Sequence, residues 1–226
     1  MQAPRMRVAV WGNSRAGLNF ARRLEWAGHT IESLEDPSEL DRFDALIIAA
    51  TARELEAAVG DVAKHVRPRQ IIIHTSLLAG VEALDELETR GCLAIAAAPM
   101  GWESCAISTL DEVADTVIGL LLSEIHLTPE YLPEEQRLER AARMYYAEML
   151  WALHSRAALA AKIIDDFPSH VPDLDTGDII DAYPAAVELG MARNYRDVAR
   201  MVGEQERIEE LELWAVRKEA PWQNNS

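Results

Sequence analysis

Short runs of consecutive apolar residues constrain this chain more than any other feature. Arg7–Trp11, "FDALIIAA" (43–50), "RQIIIHT" (69–75) and "CLAIAAAP" (92–99) are each about one strand long, and their centres are apolar at every position rather than at alternate ones. A strand of that kind is buried on both faces, which is the habit of a parallel sheet with helices packed on each side. The segments between the runs carry a helical period. Ala16–Ala27 sets Phe20, Ala21, Leu24 and Ala27 on one face, with Arg22, Arg23 and Glu25 opposite, and Gly28 stops it before a second strand at His29–Leu34. "ARELEAAVGDVAKHV" reads as a helix capped by Thr51, and "GVEALDELETRG" as a short helix closed by Gly91. "CAIST" adds a strand, "LDEVADTVIGLLLSE" a helix and "IHLTPEYL" a last edge strand.

From Pro133 onward only helical periods remain. "PEEQRLERAARMYYAEMLWALHSRAALAAKIIDDF" reads as one long helix ending before Pro168. Its stripe of Leu138, Tyr145, Ala152 and Leu159, with Ala142 and Met149 beside it, calls for a packing partner. Further helices are expected in "YPAAVELGMARNYRDVARMVG" and "QERIEELELWAVRKE", and the tail "PWQNNS" is expected to be disordered. The fold class is therefore α/β: a Rossmann-type parallel-sheet domain over 1–132, then a smaller all-α domain over 133–226.

Charge excludes several functions. The 226 residues carry 38 acids against 22 Lys and Arg, a formal net charge of −16, and the excess is spread over both halves. Such a surface repels phosphate backbones and anionic membranes, so neither nucleic acid nor membrane is expected as a partner. No apolar run approaches a membrane span. Met1–Arg7 leads straight into a strand, so no secretory leader is expected and a cytoplasmic location is. Cys92 and Cys105 lie thirteen apart without a CxxC or clustered histidines, which points to free thiols rather than a metal site. "PDLDTGD" (172–178) lacks the alternating acids and closing glutamate of a calcium loop. Asp175 or Thr176 reads better as a helix cap, and no metal is expected.

The chemistry concentrates in "GNSRAG", residues 12–17, between the first strand and its helix. A dinucleotide fingerprint has glycine at three places there, for a tight turn, for approach of the pyrophosphate and for helix–strand packing. Gly12 and Gly17 hold the outer places and Ser14 the middle one. Serine is small, and its hydroxyl has a proton to donate to a phosphate oxygen. Arg15 supplies charge, and the helix N-terminus attracts anions. Asn13 completes the turn, and Thr51 closes the neighbouring strand. Glu35, eighteen residues after Gly17, stands where an acid accepts from an adenosine ribose, with Asp36 beside it as a substitute. No Arg or Lys follows before Arg42, so NAD is favoured over NADP. His74, Thr75 and Ser76 fall at the carboxyl end of a buried strand, the edge where such sheets bind ligands. "APMGW" reaches the same rim, where Trp102 either lines a pocket or is half-buried in an interface. The alternative readings are structural: a glycine turn that only shapes the junction, a solvated strand end at Glu35 and a hydrogen-bonded core histidine at His74.

The fingerprint, "AGHTI", "DALIIAA", "IIIHTS" and "AAAPMG" in that order, followed by a long helix, resemble the 6-phosphogluconate dehydrogenase-like superfamily, and within it Rossmann-like bacterial proteins with an uncharacterised C-terminal helical domain. The resemblance covers roughly residues 6–165. It implies an N-terminal NAD(P)-binding domain, an all-α domain that forms a homodimer interface, and oxidoreductase activity on a small carboxylated substrate. Some members carry alanine at the middle glycine, which makes Ser14 less unusual. The chain departs from those relatives where they tend to show His-Pro-Met and it has Ala98-Pro99-Met100. It departs again on the long helix, where Arg140 and Glu148 stand in place of a histidine and an asparagine eight residues apart. Hydride transfer to a carbonyl or imine needs a proton donor, and the polar groups on that helix are Arg140, Glu148, His154 and Lys162. His74, Ser76, Arg140 and Glu148 are thus the catalytic candidates, with Arg140 suited to clamp a carboxylate; the structural alternative is that Arg140 and Glu148 form a plain ion pair two turns apart. The same departures suit two alternatives: a catalytically impaired dinucleotide-binding sensor or scaffold, and an interaction protein that binds no cofactor.

Overall fold

The computed structural model describes residues 5–161 and 174–219. The chain divides into two compact units, Met1–Arg137 and Leu138–Ser226.

In the first unit the apolar runs become strands β1 (Arg7–Gly12), β3 (Ala45–Ala49), β4 (Ile71–His74) and β5 (Leu93–Met100), joined by β2 (Thr30–Ser33), β6 (Ser104–Thr109) and β7 (Thr128–Tyr131). They form one sheet in the order β2-β1-β3-β4-β5-β6-β7. Successive residues of β3 face opposite cores. Ala45, Ile47 and Ala49 join Phe20 and Leu24 of α1 (Arg15–Trp26) and Ile118 and Leu122 of α4 (Glu112–Glu124). Leu46 and Ile48 join Leu55, Val59 and Val62 of α2 (Ala52–Val62). Both faces are covered, which is why the run is apolar throughout. The sheet is parallel except for β5 and β6, which pair antiparallel. The turn between them, with Gly101 at φ 68°, is too short for the crossover a parallel pair needs.

Several helices are shorter than their sequence periods. α2 stops at Val62, and the "GVEALDELETRG" segment is a 3-10 turn over Val81–Leu84 followed by the four-residue α3 (Asp85–Glu88). Between β2 and β3 a 3-10 turn over Pro37–Arg42 appears where no element was expected. Asp36 caps it, its Oδ1 accepting from the Ser38 amide at 2.9 Å. That bond holds the Asp36 carboxyl below the usual carboxylate range and makes Asp36 the cap of this turn.

The second unit is wholly helical among the described residues. α5 (Glu134–Ala161) begins in the first unit and continues into the second; α6 (Thr176–Asp181), α7 (Tyr183–Glu188), α8 (Ala192–Glu206) and α9 (Glu209–Glu219) follow. The expected stripe on α5 is buried at Ala142, Tyr145, Met149 and Ala152, while Leu138 stays partly exposed. The Tyr145 hydroxyl donates to Asp178 at 2.9 Å, and that of Tyr195 to the Ile179 carbonyl at 2.8 Å. The "YPAAVELGMARNYRDVARMVG" segment breaks into α7 and α8 at Gly190, whose φ of 70° no helix accommodates. Asp175 stands at the N-cap position of α6. Lys162, Leu159's side chain, the end of the long helix, residues 168–173 of the 168–177 loop and the "PWQNNS" tail lie outside what the structure describes. Among the described residues no helix is long and apolar enough to cross a membrane.

Candidate functional site

The sheet order reverses at β1, with β2 on one side and β3 on the other. In open α/β sheets the crevice outside the strand ends at such a switch point is the ligand site. The "GNSRAG" turn lies there. Gly12 has φ 95°, and a Cβ on it would strike the Ala49 carbonyl oxygen at the end of β3. A Cβ on Gly17 would strike the Ala49 side chain and lie 2.6 Å from its Cα. Both glycines are therefore demanded by closure of β1 and α1 onto β3.

Ser14 is buried, with 6% of its surface exposed. Its amide donates to the Ala49 carbonyl at 2.8 Å, and its Oγ accepts from the Gly17 amide at 3.3 Å, so Ser14 is the N-cap of α1. The side chain is tucked against its own helix, leaving the hydroxyl proton for another acceptor. Arg15 opens α1. The turn fits a pyrophosphate: the backbone is bare at Gly12, and the middle side chain folds inward.

Glu35 is exposed and accepts from the Ser33 hydroxyl at 3.1 Å. Ser33 is the register partner of Val10. Glu35 lies two residues beyond the end of β2. Thr51 stands at the N-cap of α2, its amide and hydroxyl both donating to Glu54 Oε2, at 3.1 and 2.8 Å. The nearest downstream base, Arg42, pairs with Glu39 at 2.6 Å and lies over the Phe43 ring.

On the other side of the switch point, His74, Thr75 and Ser76 end β4, all at 2% exposure or less. His74 Nε2 lies 2.8 Å from the Gly80 carbonyl, so it is the protonated ring nitrogen. Burial, with the Arg137 charge as a smaller contributor, pulls the imidazole pKa down to about 4. The ring is neutral at physiological pH and is a poor proton donor there. His74 Nδ1, Thr75 Oγ1 and Ser76 Oγ are buried without a hydrogen-bond partner among the described residues.

Sequence reasoning passed over what surrounds this strand end. Arg137, on the first turns of α5, has 1% of its surface exposed. It donates to the Ala79 carbonyl and to Ser108 Oγ, both at 3.0 Å, and its Nε lies 3.4 Å from Glu134 Oε2. Burial raises the Glu134 carboxyl above its ordinary range, and the neighbouring Glu82 adds to the shift. The helical period marked Arg137 as one polar residue among several; nothing local distinguishes it from Arg140, which is exposed. Arg140 and Glu148 lie on α5 in the second unit, Glu148 half-buried. Trp102 is 68% exposed at the β5–β6 turn rather than half-buried. Ala98 is buried in β5. A hollow of about 570 Å³ opens elsewhere in the first unit, beside Leu110, Tyr131 and Pro133, and its carboxylates Asp111, Glu112 and Asp115 make it unsuited to a phosphate. Among the described residues no group of three or more His, Cys, Asp or Glu is placed to hold a metal.

Residues 36–99 match the model of a Rossmann-like domain, and residues 133–218 that of the 6-phosphogluconate dehydrogenase C-terminal domain-like family. The two matches fall on the sheet and on the helical residues and agree with the resemblance to the 6-phosphogluconate dehydrogenase-like superfamily. Solved structures agree on the fold. The Mycobacterium tuberculosis 3-hydroxyisobutyrate dehydrogenase with L-serine aligns over 96% of this chain and 100% of its own, at 12% identity and a TM-score of 0.60. Aquifex aeolicus prephenate dehydrogenase, solved with hydroxyphenyl propionate and NAD+, aligns over 96% and 88%, at 11% identity and 0.55. Plasmodium falciparum pyrroline carboxylate reductase with NADP bound aligns over 95% and 97%, at 10% identity and 0.54. No curated protein sequence matches the chain.

Proposed function

We propose that this protein is a nicotinamide-dependent oxidoreductase of the 6-phosphogluconate dehydrogenase-like superfamily, acting on a small carboxylated substrate. The observation that carries the reading is the switch point itself, where the Gly12–Gly17 turn opens α1 beside β3 and the chain leaves β2 toward Glu35. Gly12, Asn13, Ser14, Arg15 and Gly17 hold the pyrophosphate, Glu35 the adenosine ribose, and Thr51 borders the site from the N-cap of α2. The nicotinamide, when bound, supplies or accepts the hydride. NAD is preferred to NADP because no Arg or Lys follows Glu35 before Arg42 to neutralise a 2′-phosphate, and Arg42 is engaged by Glu39. 3-Hydroxyisobutyrate, prephenate and pyrroline carboxylate, named for the three similar structures, are all small acids, which supports the substrate class. Arg140 is the residue we assign to its carboxylate, with Glu148, His74 and Ser76 completing the candidate set. The protein is assigned to the cytoplasm as a homodimer through the helical unit, whose Leu150, Val187, Met201, Leu213 and Val216 are exposed.

One observation favours a second reading, a dinucleotide-binding sensor or scaffold without turnover: His74 is held neutral on the Gly80 carbonyl, and Ala98 offers no proton. Calorimetric titration with NADH and then NADPH tests the shared foundation. Micromolar NADH binding with weaker NADPH is expected. A folded protein that gives no heat with either removes both readings. NADH binding without oxidation of NADH by any small keto or imino acid selects the second.

A further inference from the structure

The loop after β4 is gripped from four sides within the first unit. The Ala79 carbonyl accepts from Arg137, and the Gly80 amide donates to the Glu134 carboxylate. The Gly80 carbonyl accepts from His74, and the Val81 amide donates to Ser108 Oγ at 3.1 Å. Consecutive backbone groups are thus satisfied by side chains from β4, β6 and α5 rather than by secondary structure. A Cβ at position 80 would meet the Glu134 and Glu82 carboxylates, the ends of two flexible side chains. Arg137 links the parts. Its guanidinium bridges Ala79 to Ser108, Ser108 holds Val81, and its Nε faces the carboxylate that holds Gly80.

The loop occupies a particular place in the site. With the pyrophosphate at α1 and the adenosine ribose at Glu35 beside β2, the second nucleotide half extends the other way, over the ends of β3 and β4. Strands lie about 4.8 Å apart, so the β4 end is roughly 10 Å from Gly12, within reach of that half. Thr75 Oγ1 and Ser76 Oγ, buried and without partners among the described residues, head the loop there. Buried hydroxyls normally find a partner, and a ligand carboxamide or ribose is one that offers both donors and acceptors.

We propose that Arg137 is a positioning residue for the nicotinamide half of the cofactor, acting through the Ala79–Val81 loop and the Thr75–Ser76 strand end that it fixes. The proposal rests on the dinucleotide reading above. It predicts a loss confined to one half of the ligand.

The test compares NADH with ADP-ribose, which lacks the nicotinamide, by calorimetry on the wild-type chain and Arg137→Met. Support is NADH weakened on the order of tenfold, the scale of one lost charge-assisted contact, with ADP-ribose within about twofold. Equal weakening of both ligands makes Arg137 merely structural and overturns the proposal, as does unchanged NADH affinity. Wild-type protein that binds ADP-ribose but shows no gain from the nicotinamide overturns it while sparing the fingerprint. Wild-type protein that binds neither removes the dinucleotide reading and the proposal with it. Arg137→Met leaves Glu134 and Glu82 without their cation, so Ser108→Ala is measured in parallel. It removes one acceptor of the guanidinium and the anchor of Val81 while keeping every charge. The same NADH-selective loss in Ser108→Ala supports the proposal even where Arg137→Met does not fold, and its absence there overturns it.

Discussion

Replacing His74 with glutamine converts a pH-dependent part of the stability into a pH-independent one. The imidazole is wholly buried and its pKa is about 4 in the folded chain, against 6.5 for the unperturbed group. Between those values the unfolded chain binds a proton that the folded chain refuses, so stability is fully present above about pH 6.5 and falls as the pH drops toward 4. The slope is about 1.4 kcal/mol per pH unit, and a window of roughly 2.5 units yields a loss of about 3 kcal/mol. That is a large share of the 5–15 kcal/mol typical of a folded domain. Glutamine keeps an N–H for the Gly80 carbonyl but has nothing to titrate. Guanidinium unfolding of both proteins between pH 7.5 and 4 isolates the effect, because the surface carboxylates titrate alike in each. The wild-type advantage is expected to shrink by about 3 kcal/mol across the window. Parallel curves would show that the ring is not held neutral and would refute the reasoning.

Four further outcomes are expected. Gly12→Val forces a branched side chain onto φ 95° and into the Ala49 carbonyl; it should cost at least about 2 kcal/mol by chemical unfolding and abolish NADH binding, and unchanged affinity would take the fingerprint out of the site. Glu35→Ala should weaken NADH and leave NADPH nearly unaffected in titration, whereas equal loss of both ends the ribose assignment. Ser14→Ala removes the cap on Gly17 and should lower stability by about 1 kcal/mol in thermal or urea unfolding. Burial raises the Cys105 thiol pKa strongly and takes that of Cys92 to about 11, so neither should react with a disulfide reagent at pH 7.5 until denaturant is added; fast reaction of the native protein would contradict their burial.

The sheet was legible because burial on two faces writes itself into consecutive residues: Ala45–Ala49 and Ile71–His74 could hardly be anything but central strands. The antiparallel β6 was harder. "CAIST" has a strand's composition, but its direction depends on the turn around Gly101, which no period reveals. Helix ends were missed where the decision was tertiary. Gly190 breaks what the sequence reads as one helix, and Val81–Leu84 winds as a 3-10 turn beneath side chains supplied by distant segments. The fingerprint and Glu35 were readable because their spacing is local. Arg137 was not, since it differs from Arg140 only in which way one turn of helix faces, and its partners Ala79 and Ser108 are 58 and 29 residues away.

Ala49 gives the junction of β1 and α1 a property that outlasts any particular chemistry. Its carbonyl accepts from the Ser14 amide, and its carbonyl and side chain leave no room for a Cβ on Gly12 or Gly17, so three positions spread over 38 residues form one steric unit in which none can enlarge unless another yields. Selection for folding suffices to preserve them. A descendant that lost its substrate would keep the shape of this turn regardless, and a lineage of such proteins carries it forward as a standing capacity, open to recruitment by whatever ligand its rim comes to favour.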